Sequence, residues 1–175
     1  MSNCTLSDMQ SIIKAKEYSP TFNVKIINKS SNPLPKYATD GSAAFDLQAN
    51  ITELLHRYNE QPENIKMLVP SGVIVIGTGL YVEIPNGFQL IITSRSGMAA
   101  KQGIHVLNSP GILDSDYRGE LLVILRNSGN RIEKITHGDR IAQAQLLPVY
   151  RINWVNSEIL SETERNQGGL GSTGK

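Results

Sequence analysis

Val73-Ile74-Val75-Ile76-Gly77, Leu80-Tyr81-Val82-Glu83-Ile84, Pro85-Asn86-Gly87 and Phe88-Gln89-Leu90-Ile91-Ile92-Thr93 together decide the class of fold. Three short runs rich in β-branched residues are set apart by glycine, proline and asparagine, and runs this short read as strands. Working outward, similar runs occupy 22–28, 43–49, 104–107, 120–127, 131–135 and 141–150. Turn chemistry separates them at Pro33 and Pro35, Asp40-Gly41, Ser109-Pro110-Gly111 and Ser128-Gly129-Asn130. Turns recurring at intervals of about 8–12 residues predict an all-β sandwich, jelly roll or barrel. Strands do not alternate with long helical patterns, which argues against a Rossmann or P-loop architecture.

Three segments carry helical spacing. Met9, Ile12, Ile13 and Lys16 predict a helix over 5–16. Ile51, Leu54, Leu55 and Tyr58 predict another over 51–58, opened by a near capping box of Asn50 and Glu53 and stopped by Pro62. The third, over 96–102, directly follows a strand. The stretch 164–175 is polar and rich in glycine, with little to bury, and is expected to be mobile.

The 175 residues suit one domain with a substantial core. No apolar run approaches the ~18 residues of a membrane span, and no secretory or transit signal is legible at the start. Cys4 is the only cysteine, so an internal disulfide and a cysteine-rich metal site are excluded. A cytoplasmic setting is expected. Net charge is +1, too little for the long-range field of a nucleic-acid or membrane binder. Arg95, Arg118, Arg140 and Arg165 stand singly among turns, a pattern suited to a small anionic ligand.

Four segments invite chemistry, each with a plainer alternative. Ser94-Arg95-Ser96-Gly97 leads from a strand into a helix, whose free N–H groups, with the Arg95 fork and the Ser96 hydroxyl, can receive phosphate. Taken alone, the same residues read more simply as an ordinary capped helix. In 108–120, Pro110 and Gly111 favour a type II turn. In the polar cluster after it, strand alternation would set Asp114 and Asp116 on one face. A carboxylate there is able to take a proton from water, or it merely solvates a turn. His137-Gly138-Asp139-Arg140 reads as a turn whose Asp139 and Arg140 form a local ion pair or turn bonds, and the Gln143 amide behind it wants a partner. Residues 169–175 match most of G-x-x-x-x-G-K, yet no Ser/Thr follows Lys175 and no helix succeeds it, so a Walker site is not expected. A disordered tail, or one whose amides wrap a polyphosphate, remains.

Taken in order, these segments resemble the trimeric dUTPase family. Motif one resembles Asp40-Gly41-Ser42-Ala43-Ala44-Phe45-Asp46-Leu47, motif two Ser94-Arg95-Ser96-Gly97, motif three 111–120, motif four 138–143 and motif five 165–174. The match spans roughly the last four-fifths of the chain. The resemblance implies a distorted jelly-roll or β-barrel-like fold with a short helix after motif two. It divides the chain into an extension at 1–19, a β domain at 20–160 and a flexible arm at 161–175. It also implies a homotrimer with active sites shared between subunits, and hydrolysis of dUTP to dUMP and pyrophosphate, which limits uracil in DNA and supplies dUMP for dTMP synthesis.

Roles follow from the same resemblance. Asp114 matches the carboxylate that activates water for attack on the α-phosphorus. Tyr117 matches the ring under the deoxyribose that leaves no room for a 2′-hydroxyl. Asn108, Gly111 and Leu113 match the pocket that reads the uracil edge. Arg95, Ser96, Gly97 and Gln143 match phosphate contacts, and Asp46 matches the carboxylate that holds Mg²⁺ through water. Arg165, Ser172 and Thr173 match the arm that closes over the triphosphate, with Leu170 over the base. Leu170 stands where the family carries a stacking Phe, Ala44 and Asn166 where it carries Gly, and 51–66 is longer than the family connection. The nearest rivals are a dCTP deaminase or bifunctional deaminase–dUTPase, which needs a glutamate at the base, and a dUTPase-fold regulator that binds a partner protein.

Overall fold

The computed structural model describes residues 21–51 and 65–169. The helix expected over 5–16, and all of that expected over 51–58 except Ile51, lie outside the described residues. Among the described residues, ten strands and one short helix follow in order. They are β1 (Lys25–Asn28), β2 (Phe45–Gln48), β3 (Ile65–Leu68), β4 (Val73–Glu83), β5 (Phe88–Thr93), α1 (Ser96–Gln102), β6 (Ile104–Val106), β7 (Gly111–Leu113), β8 (Glu120–Asn127), β9 (Glu133–Thr136) and β10 (Arg140–Pro148). One sheet runs β1-β4-β8-β6, a second β2-β10-β5-β7, and β3 pairs with β9 as a ribbon. The result is an all-β, jelly-roll-like sandwich, and among the described residues the sheets do not close into a barrel. No helix of the described residues is long and apolar enough to cross a membrane.

Alternation builds the core. In β8, Leu121, Val123 and Leu125 are buried while Leu122 is exposed, and in β5 Leu90 and Ile92 are buried. They join Leu47, Ile76, Ala142 and Ala144 in one cluster between the sheets. Each fully buried aliphatic side chain contributes about 1.5–3 kcal/mol. Buried Asn127 ties the ribbon to this body: its Nδ2 donates to Leu68 O at 2.9 Å and Arg131 O at 2.7 Å, and its Oδ1 accepts from Gly129 N at 2.8 Å.

The runs 73–77 and 80–84, expected as separate strands, are one strand, β4. The residues between them form an irregularity where the register shifts between Gly77 and Tyr81. Gly79 takes φ +71°, a conformation that favours glycine. Its N–H donates to Glu120 Oε1 at 2.7 Å, and that carboxylate lies where a Cβ on Gly77 would sit. The start of β8 is thereby fixed to the middle of β4. The type II turn expected at Pro110-Gly111 does not form: Ser109-Pro110 is cis, and Gly111 does not take the positive φ such a turn requires. Gly111 instead begins β7 and pairs with Ile92.

Candidate active site

Strand β7 is three residues long, and its end releases the polar run that follows. Asp114 leaves the ladder and Ser115 and Asp116 turn, so the strand alternation expected for Asp114 and Asp116 is absent. The polar Asp114-Ser115-Asp116 run and Gly119 favour such an exit. The turn closes when Tyr117 N donates to Asp114 O at 3.2 Å. Tyr117 Oη donates to Glu120 O at 3.0 Å. The tyrosine ring lies so near Gly119 that a Cβ there would overlap it. Arg118 Nη1 donates to Ser115 O at 2.7 Å and to Tyr117 O at 2.8 Å.

Beside this turn lies a concave pocket of about 190 Å³. Its lining includes Asn108, Gly111, Leu113, Asp114 and Tyr117, together with Ile92, Val106, Ile112 and Leu122. All five residues that resemble the family's base, sugar and water-activating positions in this region therefore meet at one cavity. Asn108 Nδ2 is close enough to Gly111 that an added Cβ would sit 3.2 Å from it, so glycine leaves room for the amide. Among the described residues, the only acidic one in the lining is Asp114. Ile92, Val106 and Leu122 were not legible as pocket residues, because an apolar strand residue carries no mark separating a cavity wall from the core.

A second cluster forms where β2, β10 and β5 run side by side. Register sets Gln143 opposite Asp46 on one side and Thr93 on the other. Just past β5, Arg95 Nε donates to Asp46 Oδ1 at 2.8 Å and its Nη1 to Arg140 O at 3.0 Å. Arg140 Nη1 donates to Asp46 Oδ2 at 3.2 Å. Arg140 thus pairs with Asp46 and not with Asp139, whose Oδ2 accepts from Thr136 N at 2.7 Å within the turn. Arg95 is the N-cap of α1 and makes no side-chain cap bond, while Ser96 and Gly97 are exposed in the first turn. The Gln143 side chain is half-buried and makes no hydrogen bond among the described residues. None of these residues lines the pocket beside Asp114, so one chain carries two separate groups.

No cluster of three His, Cys, Asp or Glu side chains capable of holding an ion occurs among the described residues. Both Asp46 oxygens already accept from guanidinium groups, but each keeps a further lone pair. A dedicated protein cage is not offered. One carboxylate reached through water fits Mg²⁺, which keeps water ligands and binds mainly to substrate phosphates.

After β10, Arg165 Nε donates to Gly168 O at 2.9 Å and Gly168 N to Arg165 O at 2.8 Å, a local turn. Asn166, in a position the family fills with glycine, takes φ +41°, which asparagine tolerates better than most residues. Leu170, Ser172 and Thr173 lie outside the described residues.

Comparison with known proteins adds to this geometry. The dUTPase family profile matches residues 30–174. A deoxyuridine 5′-triphosphate nucleotidohydrolase of Finegoldia magna is 44% identical over 151 residues, covering 86% of this chain and 98% of its own. That of Wolbachia sp. subsp. Brugia malayi is 46% identical over 153 residues, covering 86% of this chain and 91% of its own. A variant dUTPase of Staphylococcus bacteriophage 80alpha, solved with dUpNHpp, is similar in fold, with a TM-score of 0.72 at 22% identity over 89% of this chain and 100% of that one. A phage phi11 dUTPase from S. aureus, described with coordination of a structural Mg(II) ion, has a TM-score of 0.65 at 20% identity, covering 81% of this chain and 100% of that one.

Proposed function

The chain belongs to the dUTPase family, and on that premise we propose that it hydrolyses dUTP to dUMP and pyrophosphate, as a Mg²⁺-dependent dUTP diphosphatase. The observation that carries this reading is the pocket that unites Asn108, Gly111, Leu113, Asp114 and Tyr117. Asn108 and the short β7 backbone read the uracil edge, and the small cavity excludes a thymine methyl. Tyr117 underlies the sugar and rejects a 2′-hydroxyl. Asp114, exposed at the rim, takes a proton from a water molecule whose oxygen bonds to the α-phosphorus. The bond from that phosphorus to the bridging oxygen breaks, and pyrophosphate leaves with the electron pair.

Arg95, the Ser96 hydroxyl, the Gly97 N–H and the free Gln143 amide are donors for the phosphate oxygens. Asp46 holds Arg95 in place and would hold magnesium through water. When bound, magnesium offsets the triphosphate charge. Arg165, Ser172 and Thr173 close over the nucleotide, and Leu170 covers the base without stacking.

A homotrimer with shared sites accounts for the separation of the two groups on one chain. The segment after β10 supports it: Tyr150, Trp154 and Leu160 are 89%, 85% and 90% exposed, far more apolar surface than a lone chain leaves to water. A cytoplasmic location completes the reading. Against a deaminase, Asp114 is the only acid in the pocket lining among the described residues, and the nearby Glu120 carboxylate is bonded to Gly79. The test is pyrophosphate release from dUTP, dCTP, dTTP and UTP with and without Mg²⁺. Release from dUTP alone, and only with metal, is expected. Ammonia from dCTP, or no pyrophosphate from dUTP, overturns the proposal.

A further inference from the structure

We infer that Arg118 is a positioning residue for catalysis, whose guanidinium fixes the turn that carries Asp114 and Tyr117. The inference rests on the dUTP-hydrolysis reading and deepens it, because Arg118 lines no part of the pocket. After Leu113 the chain has no ladder until Glu120, so residues 114–119 depend on local bonds for their shape. One nitrogen supplies two of those bonds. Arg118 Nη1 reaches Ser115 O at 2.7 Å and Tyr117 O at 2.8 Å. The two hydrogens on that nitrogen lie in the guanidinium plane at a fixed angle, so bridging both carbonyls sets the distance between them. Both carbonyls belong to the turn, one directly after Asp114 and the other on Tyr117 itself.

Charge pairing does not explain the residue. Among the described residues Arg118 meets no carboxylate, in contrast to Arg95 and Arg140, which both pair with Asp46. It is exposed, so it adds nothing to the core. Of the remaining contacts, the backbone bond from Tyr117 N to Asp114 O is long at 3.2 Å, and the others constrain the far end of the tyrosine. Its hydroxyl is tied to Glu120 O, and its ring fits over Gly119 only because no Cβ is present. Arg118 therefore governs the near end, where the carboxylate and the ring leave the backbone. A misplacement of about 1 Å in a reacting group can cost a hundredfold in rate.

The test compares Arg118→Gln and Arg118→Lys with the unaltered full chain. Readouts are kcat and KM for dUTP and UTP, and the thermal unfolding midpoint. Arg118→Gln is expected to lower kcat for dUTP about ten- to a hundredfold. It should narrow the preference for dUTP over UTP about tenfold as Tyr117 loses its place, at an unchanged midpoint. Arg118→Lys, with several donors but no plane, should recover part of both. Unchanged kcat and preference overturn the inference. A rise in KM alone also does, since that marks direct contact with the nucleotide, as does loss of rate with a fallen midpoint and intact preference, which marks a structural role. An unaltered chain that releases no pyrophosphate from dUTP removes the functional reading and this inference together; an active chain with a normal Arg118→Gln variant removes the inference alone.

Discussion

Replacing Asp46 with asparagine should weaken the protein and its use of metal by separable amounts. The carboxylate accepts from Arg95 Nε at 2.8 Å and from Arg140 Nη1 at 3.2 Å. The Asp46 and Arg95 side chains are 28% and 26% exposed, so their bond is partly shielded and contributes about 1.5–3 kcal/mol. The Arg140 side chain is 59% exposed, and a pair of that kind contributes at most about 1 kcal/mol. Asparagine keeps one oxygen for one guanidinium but turns an N–H₂ toward the other, so a net loss of about 2 kcal/mol is expected. At this chain length each kcal/mol moves Tm by about 2–4 °C, which predicts a fall of about 4–8 °C by circular dichroism without nucleotide. The Mg²⁺ concentration for half-maximal pyrophosphate release should rise at least about tenfold, the usual cost of losing an outer-sphere partner. A Tm within about 1 °C of the parent would refute the energetic reasoning. A lowered Tm with an unmoved magnesium curve would leave Asp46 as a holder of Arg95 alone.

Asp114→Asn should bind dUpNHpp with unchanged affinity in calorimetry while kcat falls about 10²–10⁴-fold, because the amide cannot accept the water's proton. Near-normal turnover would remove Asp114 from that role. A chain ended at Ser161 should unfold at the parental Tm yet turn over dUTP very slowly, since 162–168 make only local hydrogen bonds among the described residues. Full activity in that chain would contradict a closing arm. Asn127→Ala should lower unfolding free energy in urea by about 3–5 kcal/mol, because two carbonyls and one N–H lose their buried partner. A loss below about 1 kcal/mol would mean that water replaces it.

Period-two patterning made Phe88–Thr93 and Glu120–Asn127 legible to the residue, because each buries alternate side chains over a full strand. The helix Ser96–Gln102 was equally plain from its helix formers after a strand and the glycine that closes it at φ +71°. Strand β3 was hidden, since Ile65-Lys66-Met67-Leu68 is too short to show a period and gains its order from pairing with distant Glu133–Thr136. Strand β7 was masked by Pro110 and Gly111, which read as a turn until Ile92 is known to lie opposite. Five pocket residues could be named in advance through the resemblance to the dUTPase motifs, which here place them within ten positions of one another. The Asp46–Arg95–Arg140 bonds could not, because the partners stand 49 and 94 residues apart and meet only through sheet register.

The uncovered oily stretch after β10 bears on the life history of each newly made chain. Tyr150, Ile152, Trp154, Val155, Ile159 and Leu160 all face water in a single copy, and such a surface is a target for chaperones and for cutting by proteases. Dilution should therefore yield clipped or clumped material in place of a well-behaved monomer. In the proposed trimer, the interval between synthesis and finding sister chains is the most vulnerable moment, and the concentration of the protein decides how long that moment lasts.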